Sequence, residues 1–161
     1  MDPIALARAS WRAAGWGDAA DGMAAVTSVM RAQQILLARV DAALKPYALT
    51  FARYEVLMLL HFSSRGSMPL RKASDRLQVH PTSLTNAVDR LERADLVRRR
   101  PHPTDGRATL IEITAAGRRT ALAATATLNL EVFADPGLTP RRTRTLIDTL
   151  EELRRDAGDL A

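Results

Sequence analysis

The sequence predicts a mainly α-helical protein that carries one small β-hairpin. Most of the chain has apolar residues at spacings of three and four, as in Leu84, Val88 and Leu91, which is the pattern of amphipathic helices. Strand-like composition and alternation occur in two short segments, 97–101 and 108–113. The chain has 161 residues, of which 47% are hydrophobic, so it is long enough for one domain with a sizeable core.

Residues 1–20 are predicted to form a short helical extension. Asp2 followed by Pro3 is typical of a helix start, because aspartate caps free amides and proline suits the first turn. A glycine on each side of Trp16 is expected to break this helix. Two roles remain open for Trp16 and for Trp11: packing on the body of the fold, or closing a ligand pocket as a lid.

A long helix is predicted from Asp21 to Tyr47, within a segment, 21–49, that we interpret as a dimerisation helix. At 1.5 Å per residue it would extend about 40 Å, which is more than a small domain can bury. Thr50 is expected to cap a second helix that runs to about Phe62. The middle of this second helix is apolar on all sides, so it is predicted to lie in the core.

Two further helices are predicted close together. Apolar residues share one face of the first, over 70–77, and Pro81 suits the first turn of the second. Only residues 78–80 separate them, and the small side chain of Ala73 permits a close crossing. Two helices joined by so short a turn resemble a helix-turn-helix. Just upstream, residues 68–69 are expected to form a minimal strand beside the hairpin.

The second helix of this pair, centred on residues 80–96, has two chemically distinct faces. The predicted core face consists of Leu84, Ala87, Val88, Leu91 and Ala94. The opposite face carries Thr82, Ser83, Thr85, Asn86, Asp89, Arg90 and Arg93. Core packing does not require short hydrogen-bonding residues at the start of that face, whereas such residues can form hydrogen bonds to base edges and phosphates. The face therefore predicts contact with DNA.

The hairpin that follows is predicted to be basic. Its strands are 97–101 and 108–113, and a turn rich in proline, aspartate and glycine joins them over 102–107. Four arginines against one acid, Asp105, predict a formal charge of +3 for the hairpin: Arg98, Arg99, Arg100 and Arg107. A basic hairpin directly after a DNA-reading helix is a wing. Residues 50–114 are therefore predicted to form a winged helix-turn-helix DNA-binding domain.

Residues 115–161 are predicted to form two C-terminal dimerisation helices. The first runs from Thr114, as cap, to Ala134, and the second starts at Thr139 and Pro140. The last helix has an apolar stripe of Leu146, Leu150 and Leu153, with Ile147 beside it. Apolar surface on the terminal helices lies outside the compact winged unit, which favours a homodimer. A monomer whose terminal helices fold back is the alternative.

Composition narrows the function classes. A formal charge of +5 and a pI near 10.6 suit a polyanionic partner. With no cysteine, the chain has no disulfide and no thiol sensor. No secretion signal and no apolar run of membrane-spanning length is evident, so a cytoplasmic location and no membrane partner are expected.

The motifs expected of an enzyme are absent from the sequence. Its three histidines, His61, His80 and His102, lie in different predicted elements and lack metal-ligand spacing. No nucleophile elbow, phosphate-binding loop or dinucleotide motif occurs. We therefore expect no enzymatic activity and no cofactor. An RNA-binding or architectural role is disfavoured because the predicted wing strands carry no stacking aromatic residue.

The order of these motifs resembles the MarR family of bacterial transcriptional regulators over residues 21–156. The matching pieces are Asp89–Glu92, Leu96–Arg99, Pro103–Arg107 and Ile113–Thr114. The resemblance implies a homodimer that binds a palindromic operator, most often as a repressor, with one recognition helix of each copy in a major groove. It implies DNA contacts by Thr82, Ser83, Thr85, Asn86, Arg90, Arg98, Arg100 and Arg107, with Asp105 and Gly106 supporting the wing.

The family resemblance also raises the possibility of a small anionic or aromatic effector. The N-terminal extension is similar to that of the urate-responsive branch, which uses a tryptophan, an acidic residue and two arginines. Trp11 or Trp16, Glu55 and Arg99 hold the corresponding places here, and Ala87 stands where the first arginine would be. An effector of another kind, and DNA binding without any effector, both remain open. The alternative for Glu55 is a carboxylate paired with a neighbour on the helix surface.

Overall fold

The computed structural model, which describes residues 1–104 and 108–160, confirms a mainly helical fold with a small antiparallel sheet. Its elements are α1 (Pro3–Ala13), α2 (Gly17–Leu44), α3 (Phe51–Phe62), β1 (Ser67–Pro69), α4 (Leu70–Leu77), α5 (Pro81–Arg93), β2 (Val97–Pro101), β3 (Thr109–Ile113), α6 (Ala115–Leu128) and α7 (Pro140–Asp156). A short 3₁₀ turn follows α2, and a π-helical turn follows α6.

The N-terminal extension forms a helix that folds back on α2. The Asp2 carboxylate accepts a hydrogen bond from the Ile4 amide at 3.0 Å and so caps α1. Trp16 packs edge to face against Trp11, with ring centroids 5.2 Å apart. This contact spans the short turn between the two helices, and α2 begins directly after it at Gly17. The helix therefore starts four residues before the predicted start at Asp21.

The core is built around α3, as its apolar middle predicts. Leu57 and Leu60 are fully buried, and they belong to one cluster with Leu44 of α2 and Leu128 of α6. Thr50 caps α3 through its side chain, which accepts from the Arg53 amide. The central position of α3 lets this one helix support both the long terminal helices and the helices that follow it in the chain.

The predicted helix-turn-helix is present as α4, a short turn and α5. Ala73 of α4 is completely buried, which permits the close crossing that its small side chain suggested. Gln78 turns the chain with φ of +52°, and the Ser74 hydroxyl donates to the Val79 carbonyl at 2.7 Å across the turn. The buried hydroxyl of Ser74 thus fixes the angle at which α5 leaves α4.

The core face of α5 is shorter than predicted. Leu84, Val88 and Leu91 are buried, but Ala94 is exposed, so its assignment to the core face was wrong. The helix ends at Arg93, and Asp95 adopts φ of +56°. The chain therefore leaves the helical path before Ala94 could reach the core.

The sheet has the strand order β1-β3-β2, with both pairs antiparallel. The minimal strand β1 pairs with β3, and Met68 faces Ile111 across the ladder. Ile111 and Ile113 are both buried, so these alternate residues of β3 share the inner face of the sheet. β3 begins at Thr109, one residue later than predicted, although the Ala108 carbonyl still accepts from the His102 amide.

The terminal helices leave apolar surface uncovered. α6 ends at Leu128, before the predicted Ala134, because residues 129–133 form the π-helical turn. Thr139 caps α7, as its sequence predicts. A cavity of about 610 Å³ lies between α2 and α7, and its apolar lining includes Leu36 and Leu146. Both side chains are partly exposed in the single chain.

The C-terminal end returns to the helix-turn-helix. The side-chain amide of Gln78 donates to the Asp159 carbonyl at 3.0 Å and to its carboxylate at 2.8 Å. Arg154 of α7 holds the same carboxylate at 2.6 Å. In the part of the chain that the structure describes, no helix has the length and apolar character needed to cross a membrane.

Candidate nucleic-acid interface

The polar side chains at the start of α5 stand on an exposed face of the helix. Thr82, Ser83, Asn86 and Arg90 are exposed, and Thr85 is half-buried. His80 caps the helix, since its Nδ1 accepts from the Thr82 amide at 3.2 Å. This cap satisfies a backbone amide internally and leaves the Thr82 side chain available to a ligand.

Thr85 and Asn86 differ in whether their polar groups are already hydrogen-bonded within the protein. The Thr85 hydroxyl donates to the Pro81 carbonyl at 2.9 Å, so its proton is already used within the helix. Among the described residues, the Asn86 amide has no hydrogen-bond partner. A free amide can donate and accept at once, as recognition of an adenine edge requires. Asn86 is therefore the side chain of this face best suited to read a base.

Arg99 locks the wing to α5. Its guanidinium pairs with Asp89 at 2.5 Å and forms a second, very short ion pair with Glu92, while the Arg99 amide donates to Glu92 at 3.0 Å. Burial disfavours the charge on Arg99, but its hydrogen bonds and charge interactions with the two carboxylates outweigh burial and raise its pKa. The pairs hold β2 at a defined angle to α5.

Glu112 on β3 pairs with the two arginines on the opposite face of β2. It accepts from Arg98 at 3.0 and 2.9 Å, and Arg100 lies 2.9 Å away. The hydrogen bonds from Arg98, together with both nearby positive charges, hold the pKa of Glu112 below its ordinary value. Because Glu112 lies within β3 and adds a second negative charge, the hairpin is less basic than the four arginines and Asp105 alone predict.

Replacing Glu112 with glutamine should weaken the wing in a pH-dependent way. At pH 7 we expect Glu112→Gln to lower the free energy of unfolding by about 0.5–1 kcal/mol, because the bridge is near the surface. Since the folded pKa lies below the ordinary 4.5, this stabilisation exists above about pH 4.5 and is lost as the pH falls through the folded pKa. Urea unfolding of both proteins at about pH 7 and about pH 3 measures the effect.

The control for Glu112→Gln is Glu151→Gln, which removes an exposed pair with Arg155 on α7. That pair spans four residues of one helix, so its loss should cost no more than about 0.5 kcal/mol. If Glu112→Gln and the wild type differed in stability by the same amount at low pH, the stabilisation could not come from the ionised Glu112 carboxylate.

Three wing residues named from the sequence, Asp105, Gly106 and Arg107, lie outside the described residues. The roles expected of them at the wing tip stay predictions.

The residues predicted to bind a small-molecule effector do not lie together in the structure. Glu55 lines a small cavity between α3, α4 and α5, together with Ser83 and Ala87. Within the described chain its carboxylate has no hydrogen bond or ion pair, and burial raises its pKa. Neither tryptophan lines this cavity; the two pack on each other where α1 meets α2, and Arg99 is ion-paired elsewhere.

The sequence predicts no role in the site for Arg53, and it indicates Arg93 only as a member of the polar face of α5. Both line an open groove of about 670 Å³ that separates the start of α3 from the exposed face of α5, and Asn86 and Arg90 line it too. Arg53 belongs to a helix whose apolar pattern predicts core, so no sequence motif connects it with α5. Arg93 was placed on the polar face of α5, but only the tertiary arrangement puts it across a groove from Arg53.

Known proteins of one family resemble this chain in sequence and in fold. The MarR family model matches residues 49–109. The crystal structure of Sco5413, a MarR family transcriptional regulator from Streptomyces coelicolor, is 51% identical, covers 87% of this chain and 97% of its own, and has a TM-score of 0.80. Sco3205, a MarR family regulator from the same organism whose structure is in complex with DNA, is 26% identical, with 82% and 84% coverage and a TM-score of 0.70.

A curated relative matches over a shorter segment. MhqR, an HTH-type transcriptional regulator of Bacillus subtilis, is 35% identical over 71 residues, which are 44% of this chain and 48% of MhqR. The chain thus spans about half the length of the curated relatives that it matches. The likeness to Sco5413, in contrast, extends over nearly all of that chain. On the strength of this identity and coverage, the chain belongs to the MarR family of winged-helix transcriptional regulators.

Proposed function

We propose that this protein is a transcriptional regulator that binds double-stranded DNA in a sequence-specific manner. The observation that carries the proposal is the exposed start of α5, where Asn86 has no internal partner among the described residues and Arg90 stands one turn further along. A helix held by a buried core face can present such residues to a major groove. The Sco3205 complex with DNA supports this reading by likeness of fold.

The proposed DNA-binding form is a homodimer. α2 and α7 line an apolar cavity, and several of their large apolar side chains are exposed in the single chain, including Val29, Met30 and Leu36. A second copy of the same helices would cover that surface. Two α5 helices about one helical turn of DNA apart would then read a palindromic operator. On an operator close to a promoter, such a dimer would exclude polymerase and act as a repressor.

Asn86→Ala tests base reading by α5. The variant should lose about 1–3 kcal/mol of binding at one operator position and should accept other bases there, because the alanine methyl cannot hydrogen-bond to a base edge. Selection of bound sequences from random duplex with the wild type supplies the operator. Titration of the variant against single-position operator changes then measures the relaxed choice.

Ser10→Ala is the control for Asn86→Ala, because Ser10 is an exposed polar residue on α1, outside the helix-turn-helix. It should bind every duplex as the wild type does. Selection that enriches no sequence would contradict the proposed function. Enrichment with an unchanged base preference in Asn86→Ala would show that Asn86 is not the base-reading residue.

A further inference from the structure

The open groove of about 670 Å³ carries three guanidinium groups in its lining. Arg90 and Arg93 come from α5, and Arg53 comes from the first turn of α3. Asn86, Arg90 and Arg93 follow one another at spacings of four and three, so they share one face of the helix. The groove thus continues the base-reading surface of α5 toward its C-terminal end.

The acidic residues of α5 do not neutralise these arginines. Asp89 lines the groove and stands four residues before Arg93, a spacing at which a carboxylate and a guanidinium ordinarily pair on a helix. Asp89 is instead held by Arg99 of the wing at 2.5 Å, and Glu92 is paired with the same guanidinium. Within the described chain, Arg90 and Arg93 therefore have no ion pair and no side-chain hydrogen bond.

Arg53 is positioned but not neutralised. Its Nε donates to the Thr50 hydroxyl at 3.1 Å, the group that also caps α3. No carboxylate among the described residues pairs with it, and its two terminal nitrogens have no partner there. The cap therefore orients the guanidinium at the edge of the groove and leaves the end that forms bidentate bonds with an oxyanion free.

We propose that this groove is a phosphate-binding site that holds the DNA backbone beside the bases read by α5, with Arg53 and Arg93 as its contacts. This inference rests on the proposed function. Guanidinium groups favour phosphate oxygens, and a groove open along its length suits a continuous strand. Arg99 contributes indirectly. Because it pairs with Asp89 and Glu92, these carboxylates do not form ion pairs with the groove arginines.

The test is a titration of Arg53→Gln and Arg93→Gln over a salt series, on the selected operator and on a scrambled duplex. Each variant should bind both duplexes about tenfold more weakly near 0.15 M salt, and each should reduce the salt slope by about one unit. The ranking of duplexes should stay that of the wild type, because phosphate contacts carry no sequence information. Arg53→Lys should recover most of the slope.

Arg144→Gln on α7 is the matched control, because Arg144 is exposed and has no partner among the described residues. It should leave the slope unchanged. Thermal unfolding of Arg93→Gln should match that of the wild type, because this guanidinium has no internal partner among the described residues. Arg53→Gln should unfold at nearly the same temperature, because it loses only one side-chain hydrogen bond, to Thr50, and the Arg53 amide still donates to that cap. A matching unfolding curve would ensure that weaker binding reports a lost contact and not a lost fold.

The outcomes separate this inference from the proposed function. If Asn86→Ala relaxes base choice but both groove variants keep the wild-type salt slope, the phosphate site is wrong and the proposed function stands. If the wild type selects no duplex, the proposed function itself fails. If millimolar inorganic phosphate raises the unfolding temperature through Arg53 while the duplex slope does not depend on Arg53, the groove binds a free anion and the backbone contact is refuted.

Discussion

Gly117→Ala is expected to prevent stable folding or to lower the free energy of unfolding by about 3 kcal/mol or more. A Cβ atom at this position would lie 2.0 Å from the Leu96 carbonyl oxygen, 2.9 Å from its carbon and 3.0 Å from Ile113. Overpacking costs about 1–3 kcal/mol where side chains can yield, and more where they cannot. Here the nearest obstacle is backbone, so the upper end applies.

The obstacle cannot move easily because Thr114 holds it. The Thr114 amide donates to the Leu96 carbonyl at 3.1 Å, and the Thr114 hydroxyl donates to the Asp95 carbonyl at 2.7 Å while it accepts from the Gly117 amide. The start of α6 is thereby bonded to the turn that leads from α5 into the wing. A residue larger than glycine would force α6 away from that turn.

Urea unfolding measures the effect of Gly117→Ala, and Gly22→Ala is its control. Gly22 lies within α2, and a Cβ there would meet nothing within 4 Å. That substitution should stabilise the protein by about 0.5–1 kcal/mol, because alanine has the higher helix propensity. Equal stabilities for the two variants would contradict the close approach of α6 to the Leu96 carbonyl.

Leu36→Glu is expected to convert the proposed dimer into a monomer and to weaken operator binding by about 100-fold or more. Leu36 is 38% exposed in the single chain and lines the apolar cavity between α2 and α7. A carboxylate at that position remains hydrated in a monomer. In a dimer that covers this cavity it would be buried without a partner, at a cost of several kcal/mol. The loss of binding follows because linked half-sites bind far more tightly than single ones.

Sedimentation of the Leu36→Glu variant, with DNA titration in parallel, tests this expectation. Phe62→Glu is the control, because Phe62 is 77% exposed at the end of α3 and does not line the cavity. It should keep the mass and the DNA affinity of the wild type. A Leu36→Glu protein that sediments at the wild-type mass would show that this surface is not the interface. Circular dichroism should show the helical content unchanged.

Local sequence patterns were sufficient for the elements whose signals lie within a few residues. Four helices have the predicted cap residues, which are Asp2, Thr50, Thr114 and Thr139. A cap can be predicted locally because it needs only one hydrogen bond, from the backbone amide two or three residues later to the cap side chain. Alternation likewise placed Ile111 and Ile113 on the buried face of β3. Helix ends were less accurate, as Ala94 shows.

The ion pairs between different helices and strands could not be predicted from local sequence patterns. Asp89 and Arg93 have the spacing of an intrahelical pair, yet Asp89 binds Arg99 of the wing because folding brings β2 against α5. For the same reason Glu112, adjacent in space to Arg98 and fourteen residues away in sequence, neutralises part of the hairpin.

The sequence by itself determined the order of the helices and strands, the winged helix-turn-helix and the family resemblance, because these depend on periodicity, caps and short motifs. Only the tertiary structure decided which charges are free to bind a ligand. Arg53 and Arg93 meet across one groove while Arg99 holds the nearby carboxylates. Electrostatic interactions act through space over a few ångströms, so partners from different elements are settled only when α3, α5 and β2 pack together.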